Sequence, residues 1–329
     1  MTQLAALDFE LPTRNLRPAR PRLRAVLLGC GTVNSGVLEG LASMPEAVEV
    51  SAVVTRRPRD IEAGRSVWLT DIQAAFDTGP DVVVDGLPDC PAAEKALALA
   101  VERGIHVVSA NKAVIARRPD LEAKARARGL RFVYSAAVGG GVPVLETIVR
   151  LTSAGERIES VRGVLNGTSN FVLGLLETGT GFNDAIAAAQ AAGFAEADPS
   201  ADIDGLDAAA KLALIARKAF GIAPDAATIP AQSLLSLDPG QVCGARENGL
   251  RYRQVAELSR TADGIDARIR LIALPEDHPL ARVEREENSV EIVCESGLKV
   301  VLHGKGAGKG PTAGAVLADI RDLIAAGEV

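Results

Sequence analysis

Leu23-Arg24-Ala25-Val26-Leu27-Leu28-Gly29-Cys30-Gly31-Thr32-Val33-Asn34-Ser35-Gly36-Val37-Leu38-Glu39-Gly40-Leu41 is the stretch whose reading decides the fold. A short, mostly apolar run leads into a glycine turn, and an amphipathic segment follows, so the order is strand, turn, helix. A dinucleotide fingerprint requires that context. Gly29 permits the tight turn, and Gly31 lets the backbone approach a pyrophosphate that rests on the amides and positive end of the helix. The third position of G-x-G-x-x-G is Asn34 rather than glycine. A glycine there normally allows close packing of helix on strand, so the fingerprint is weakened, with Gly36 expected to relieve the crowding half a turn later.

Working outward, short apolar strands recur at 48–54, 81–85, 105–109 and 131–134, separated by helical stretches. This alternation predicts an α/β fold with a Rossmann-type, doubly wound parallel sheet. The tip of the second strand reads Thr55-Arg56-Arg57, where an acidic residue would receive the ribose 2′-hydroxyl of NAD. Two arginines without a carboxylate suit a 2′-phosphate, so NADP is the expected cofactor, with NAD as the other choice; the plainer reading is two solvated arginines. Ser109-Ala110-Asn111-Lys112 follows a strand at the carboxyl edge of the sheet, where such folds bind ligands. Lys112 is thus expected where a nicotinamide and its substrate meet, bonding a reacting oxygen or neutralising phosphate.

Composition narrows the function. Hydrophobic residues make up 47% and aromatics 3%, a balance that fits helices packed on parallel strands. Lys and Arg number 36 against 42 Asp and Glu, a net charge of −6, which argues against nucleic acid or an anionic membrane as partner and for a small molecule. No apolar run approaches the roughly 18 residues of a membrane span. Cys30, Cys90, Cys243 and Cys294 are too dispersed for a zinc site or a disulfide framework, so a reducing cytoplasm is expected. Residues 1–20 carry arginines and prolines but no apolar h-region, and read as a basic flexible tail.

In the second half, Val138-Gly139-Gly140-Gly141-Val142-Pro143 exposes backbone that either binds an ion or forms a hinge. Gly163-Val164-Leu165-Asn166-Gly167-Thr168-Ser169-Asn170 reads as a strand entering a polar turn and a helix, its Asn, Thr and Ser side chains either offering donors and acceptors to a polar ligand or serving only as an N-capped helix start. Alternating segments at 267–273, 290–293 and 299–302 read as antiparallel strands, and a second, mixed sheet carrying helices is expected. The glycine run at 303–313 lacks phosphate-loop spacing and is expected to return to the first domain and close over the cofactor, ahead of a last helix to about residue 326. The expected partition is a dinucleotide-binding domain over 21–148, completed by 305–329, and an α+β substrate-binding and dimerisation domain over 149–304. The exposed face of the second sheet predicts a homodimer.

The chemistry concentrates in Gly193-Phe194-Ala195-Glu196-Ala197-Asp198-Pro199-Ser200-Ala201-Asp202-Ile203-Asp204-Gly205-Leu206-Asp207-Ala208-Ala209-Ala210-Lys211. Asp207 and Lys211 are four apart and share a helix face, while Leu206, Leu212, Leu214 and Ile215 suggest that the face is buried. A surface salt bridge is the bland alternative; binding an amino acid and moving a proton is the functional one.

Together the glycine turn with Thr32 and Val33, Ala110-Asn111-Lys112, the segments 136–143, 163–170 and 193–211, and Gly306-Ala307-Gly308-Lys309-Gly310-Pro311-Thr312-Ala313 resemble homoserine dehydrogenase, in that family's order, over residues 29 to about 320. The resemblance implies an oxidoreductase interconverting L-homoserine and L-aspartate 4-semialdehyde with NADP or NAD, in threonine and methionine biosynthesis. It implies substrate contacts at Glu196, Asp207, Asp202 and Thr168, Lys211 as proton donor or base, and Lys112 as a second lysine. It implies cofactor positions at Gly193 and Gly308, and with the readings above the expected cofactor contacts are Gly29, Gly31, Thr32, Val33, Arg56, Arg57, Ser109, Lys112, Gly193 and Gly308. Ser135 stands where the family has a glutamate of a monovalent-cation site, which leaves only the carbonyls of Val138, Gly140 and Val142. The chain ends after the last helix, so no regulatory domain and no threonine feedback are expected. Two other readings stand beside this one: a paralogous dehydrogenase of another amino or hydroxy acid, and a catalytically silent nucleotide-binding sensor.

Overall fold

Continuous apolar strands are needed wherever a strand is covered on both faces, and β1 (Leu23–Leu28) meets that need with Ala25 to Leu28 fully buried. The computed structural model describes residues 22–57 and 67–327, and the tail expected over 1–20 lies outside them. In chain order β1 is followed by α1 (Thr32–Ala42), β2 (Val48–Val54), β3 (Val67–Leu69), α2 (Ile72–Phe76), β4 (Val82–Asp85), α3 (Pro91–Glu102) and β5 (His106–Ser109). Then come α4 (Lys112–Arg117), α5 (Pro119–Ala127), β6 (Phe132–Val133) and α6 (Val144–Ser153). The first sheet runs β3-β2-β1-β4-β5-β6, with every pair parallel. Leu28 pairs Val54 on one side and Asp85 on the other, so the strand order reverses at β1. The carboxyl ends of β1 and β4 therefore open the crevice in which such sheets hold ligands.

Asn34 packs closely in place of the fingerprint's third glycine. Its side chain is buried and its amide donates to the carbonyls of Leu28 at 3.0 Å and Gly29 at 2.9 Å, joining α1 to the end of β1. The space comes from Gly86 instead, where a Cβ would stand 2.7 Å from the Asn34 side chain. Gly36 also serves a different neighbour from the one expected. A Cβ on Gly36 would lie 2.9 Å from that of Ala313, and one on Gly40 would lie 2.3 Å from Leu317, so this glycine stripe seats the last helix, α12 (Lys309–Ala326).

The second half contributes β7 (Ile158–Val164), α7 (Gly167–Leu176), α8 (Phe182–Ala191), α9 (Ser200–Ile203), α10 (Leu206–Phe220) and α11 (Pro239–Glu247). It continues through β8 (Leu250–Thr261), β9 (Gly264–Pro275), β10 (Glu287–Cys294) and β11 (Lys299–Lys305). The sheet order is β11-β10-β7-β8-β9, and the pairs are antiparallel throughout, as expected for the segments within β9, β10 and β11, so only the expected mixing of the sheet is corrected. A single isolated parallel bridge, Ala231 to Ile269, is the nearest thing to mixing. One apolar cluster runs through Val26 and Leu28 of β1, Leu145 and Ile148 of α6, Leu212 and Ile215 of α10, and Val161 and Ile292 of the second sheet. That shared core holds α10 between the two sheets. Among the described residues no helix is long and apolar enough to cross a membrane.

Candidate active site

Lys112 is placed by a ladder of hydrogen bonds at the end of the parallel sheet. The Ser109 hydroxyl donates to Asp85 at 2.8 Å, the Asn111 amide N–H donates to Ser109 Oγ at 3.1 Å, and the Asn111 side chain caps α4 by accepting from Val114 N. Burial pushes the Asp85 carboxyl up to about 6 despite the hydrogen bonds from Leu87 and Ser109. Ser109 thus spends its hydroxyl on the frame that aims Lys112, the first residue of α4.

The other half of the site is built on α10, whose N-terminal boundary is set by Gly205 at φ +77, a backbone region that a side chain strains to adopt. Asp207 stands in the first turn, where a carboxylate suits the helix dipole. Its Oδ1 accepts from Lys112 of α4, and its Oδ2 accepts from Lys211 at 2.8 Å and from the Asn166 amide at 2.9 Å. Lys211 Nζ also donates to the Leu165 carbonyl at 2.6 Å. Burial pushes the Asp207 carboxyl up, but Lys211 and then Lys112 outweigh it and hold the group well below the usual carboxylate range. The expected shielding of this helix holds for Leu212, Leu214 and Ile215 and fails for Leu206, which is half exposed.

Asn166 connects further candidates. Its amide reaches Asp202 Oδ1 at 2.6 Å as well as Asp207, while its carbonyl oxygen caps α7 through Ser169 N at 2.8 Å. Thr168, in the first turn of α7, donates to the Phe194 carbonyl at 2.6 Å, and Phe194 stacks on Phe171 with centroids 4.5 Å apart. Those contacts fix the start of the 193–199 loop, and Gln190 holds its middle by donating to the carbonyls of Glu196 and Ala197. Glu196 itself is exposed, and its carboxylate has no partner in the Asp207 cluster. The structure therefore joins Lys112, Asp207, Lys211, Asn166 and Asp202 in one hydrogen-bonded group, with Thr168 beside it and Glu196 outside it. Asn166 is one of the side chains of the 163–170 turn that the sequence offers to a polar ligand, though not among the expected substrate contacts, and the Leu165 carbonyl carries no sequence signal as a site group.

The remaining candidates surround the crevice. Helix α1 has Gly31 at its N-cap with no side-chain cap, and nothing lies within 4 Å of where a Cβ on Gly31 would stand. Its first amides, at Thr32 and Val33, are those a phosphate takes at a helix start. Gly29 has φ +80 against the Gly86 carbonyl, so the turn admits no side chain. These features fit a dinucleotide. Arg56 and Arg57 are exposed at the tip of β2, the Thr55 hydroxyl donating to the Arg57 carbonyl at 2.7 Å. Gly308, at φ +109, begins α12 without a side-chain cap, and Gly193, at φ +77, has open space around it.

A monovalent cation fits less well. Ser135 donates its hydroxyl to Asp319 at 2.7 Å and brings no carboxylate, and the Val142 carbonyl already accepts from Val144 N at 2.8 Å. Val138 and Gly140 supply only neutral carbonyls, and the carboxylate bonded to Ser135 is that of Asp319. Among the described residues no group of His, Cys, Asp and Glu is arranged to hold a metal ion.

Comparison with known proteins follows the two halves. Residues 143–321 match the family described as Homoserine dehydrogenase, and residues 29–135 match the one described as Homoserine dehydrogenase, NAD binding domain. The homoserine dehydrogenase of Synechocystis sp. is 35% identical over 315 residues, spanning 91% of this chain and 72% of that protein. A protein of Pseudomonas canavaninivorans named NAD(+)-dependent homoserine dehydrogenase is 36% identical over 254 residues, 74% of this chain and 71% of its own length. Among solved structures, a homoserine dehydrogenase from Thiobacillus denitrificans superposes with a TM-score of 0.85 at 33% identity, covering 92% of this chain and 73% of that one.

Proposed function

The chain belongs to the homoserine dehydrogenase family, and from that premise we propose that Lys112, Asp207 and Lys211 form the reacting centre of an NAD(P)-dependent oxidoreductase interconverting L-homoserine and L-aspartate 4-semialdehyde. The observation that carries the residue roles is Asp207 holding a lysine from each half of the fold. When bound, the nicotinamide supplies the hydride for the aldehyde carbon or accepts it from the alcohol carbon.

In the reducing direction the oxygen of the aldehyde gains negative charge and must take a proton. Lys211 gives that proton, and in the reverse direction its neutral amine removes the hydroxyl proton. Asp207 and the Leu165 carbonyl orient the Lys211 ammonium. Asp207 Oδ1, which accepts from Lys112 alone, takes the substrate ammonium in exchange and frees Lys112 for the reacting oxygen or a cofactor phosphate. Glu196 shares the substrate ammonium from the 193–199 loop, while Asn166 keeps Asp202 and Asp207 in register. Thr168 borders the same pocket.

The cofactor lies over Gly29, Gly31, Thr32 and Val33, with Ser109, Lys112, Gly193 and Gly308 bordering it. Arg56 and Arg57 favour NADP by their charge beside the expected ribose. The proton transfer assigned to Lys211 needs no metal ion. The cofactor unit is taken as 21–148 with 305–329, and the substrate unit as 149–304. A homodimer through the open face of the second sheet is supported by Arg268, Arg270 and Val301 standing exposed there. Four free cysteines support a reducing, cytoplasmic setting.

Steady-state kinetics of Asp207→Asn test the centre. The variant keeps the shape and removes the charge, so KM for homoserine rises and kcat falls while NADPH binding is retained. Parent-like values of both constants would remove Asp207 from the site.

A further inference from the structure

Proline at 119 leaves a gap in the helix that carries Lys112. The carbonyl of Ile115 would ordinarily accept the N–H of residue 119, and proline has none. Arg217 of α10 supplies the missing donor, with Nη1 at 3.1 Å from the Ile115 carbonyl. Ile115 lies three residues after Lys112, in a helix of only six residues. So short a helix has little rigidity of its own, and its direction is set by what holds its two ends. Asn111 holds the first end and Arg217 the second.

The guanidinium is itself fixed. Its Nε donates to Tyr134 Oη at 3.1 Å and stands 3.1 Å from Glu122 Oε2, and its Cζ lies 5.0 Å from the centroid of the Tyr134 ring. Tyr134 Oη donates to Glu122 Oε2 at 3.0 Å, and Lys218 pairs with the other Glu122 oxygen. The Arg217 side chain is only 12% exposed, so its charge is neutralised by Glu122 in a partly desolvated setting rather than dissipated in water. Arg217 therefore bonds the helix of Lys112 and the flank of the parallel sheet from the same helix that carries Asp207 and Lys211.

We propose that Arg217 is a positioning residue for the reaction, fixing α4 against α10 so that Lys112 stands at Asp207 beside Lys211. The inference rests on the reading that Lys112 takes part in the reaction. A planar fork with several fixed donors suits the task, because one side chain must serve a carbonyl, a phenol and a carboxylate at once. Lysine at this position keeps the charge against Glu122 and Tyr134 but has no second arm for Ile115.

A double-mutant cycle on the full chain separates positioning from general stabilisation. Arg217→Met lowers kcat on the order of ten- to a hundred-fold, as expected for a displaced reacting group, with the Kd for NADPH changed by less than about twofold. In a Lys112→Met background the same substitution costs less than about twofold in kcat, since there is no lysine left to misplace. An equal loss in both backgrounds overturns the proposal. If Arg217→Met does not fold at the assay temperature, Arg217→Lys carries the same cycle, with a smaller loss that again vanishes without Lys112; persistence of that loss overturns it too. Should Lys112→Met alone leave kcat unchanged, the failure lies in the assignment of Lys112, and the inference falls with it.

Discussion

Lys112 and Asp207 form an ion pair across 95 residues of sequence, one at the carboxyl edge of the parallel sheet and the other in the first turn of α10. Asp207 gives its second oxygen to Lys211, so a single carboxylate fixes the separation of two lysines. Its pKa is depressed in the folded protein because Lys211 and Lys112 outweigh the effect of burial. A depressed carboxylate stabilises the fold above the ordinary carboxylate range, and that contribution is lost progressively as pH falls from that range toward the depressed value. The centre thus stays assembled at any pH near neutrality.

Asn34 bears on stability more than on cofactor choice. Replacing it with the glycine of the usual fingerprint strips the partly buried Gly29 carbonyl of its side-chain donor, while the Leu28 carbonyl keeps only the N–H of Gly86 at 3.0 Å. Asn34→Gly is expected to cost roughly 1–3 kcal/mol, the range for leaving buried polar groups unpaired. Urea denaturation of the two proteins measures this. A variant as stable as the parent would show that these hydrogen bonds contribute nothing.

Arg56 and Arg57 are expected to discriminate between the two nicotinamide cofactors. Exchange of both for alanine should raise KM for NADPH by a larger factor than KM for NADH, because only the former carries a 2′-phosphate. Michaelis constants for both cofactors supply the comparison, and equal factors would sink the assignment.

Asp319 predicts a pH dependence of stability with the opposite sign to that of Asp207. Burial raises its carboxyl to about 7 against the opposing hydrogen bonds from Ser135, and Glu146 and Asp322 add to the rise. Glu146 is itself raised, chiefly by burial. Between the unfolded value near 4 and the folded value, the folded state keeps a proton that the unfolded state has released, so stability falls as pH climbs. The loss attributable to Asp319 is at most roughly 4 kcal/mol, complete just above pH 7. Asp319→Asn should flatten this decline. Unfolding midpoints measured from about pH 4 to 8 decide it, and parallel curves for parent and variant would rule out Asp319 as the source.

Much of this was legible in the sequence because local chemistry announced it. The strand, turn and helix around Gly29 and Gly31, and the i,i+4 spacing of Asp207 and Lys211, are short-range patterns that the fold preserved. The role of Asn34 was not legible, since it depends on Gly86, which is distant in sequence and adjacent in space. β8 escaped notice because its alternation is broken by four consecutive buried residues, Arg253 to Ala256, in a strand paired on both sides. Buried Arg253 reads as a surface residue until its carboxylate partner, Glu177, is found in another element. The pairing of Lys112 with Asp207 was hidden for the same reason: each residue belongs to a different sheet's surroundings, and only the shared core brings them together.

The most direct test of the account is kcat for Lys211→Ala in the interconversion of homoserine and aspartate 4-semialdehyde, measured alongside NADPH binding and thermal stability. A loss of about 10²-fold or more in kcat, with cofactor binding and folding intact, is the predicted result for removal of a general acid and base. Near-parent turnover in a folded, NADPH-binding Lys211→Ala protein would contradict the assignment of proton transfer to the centre that Asp207 assembles.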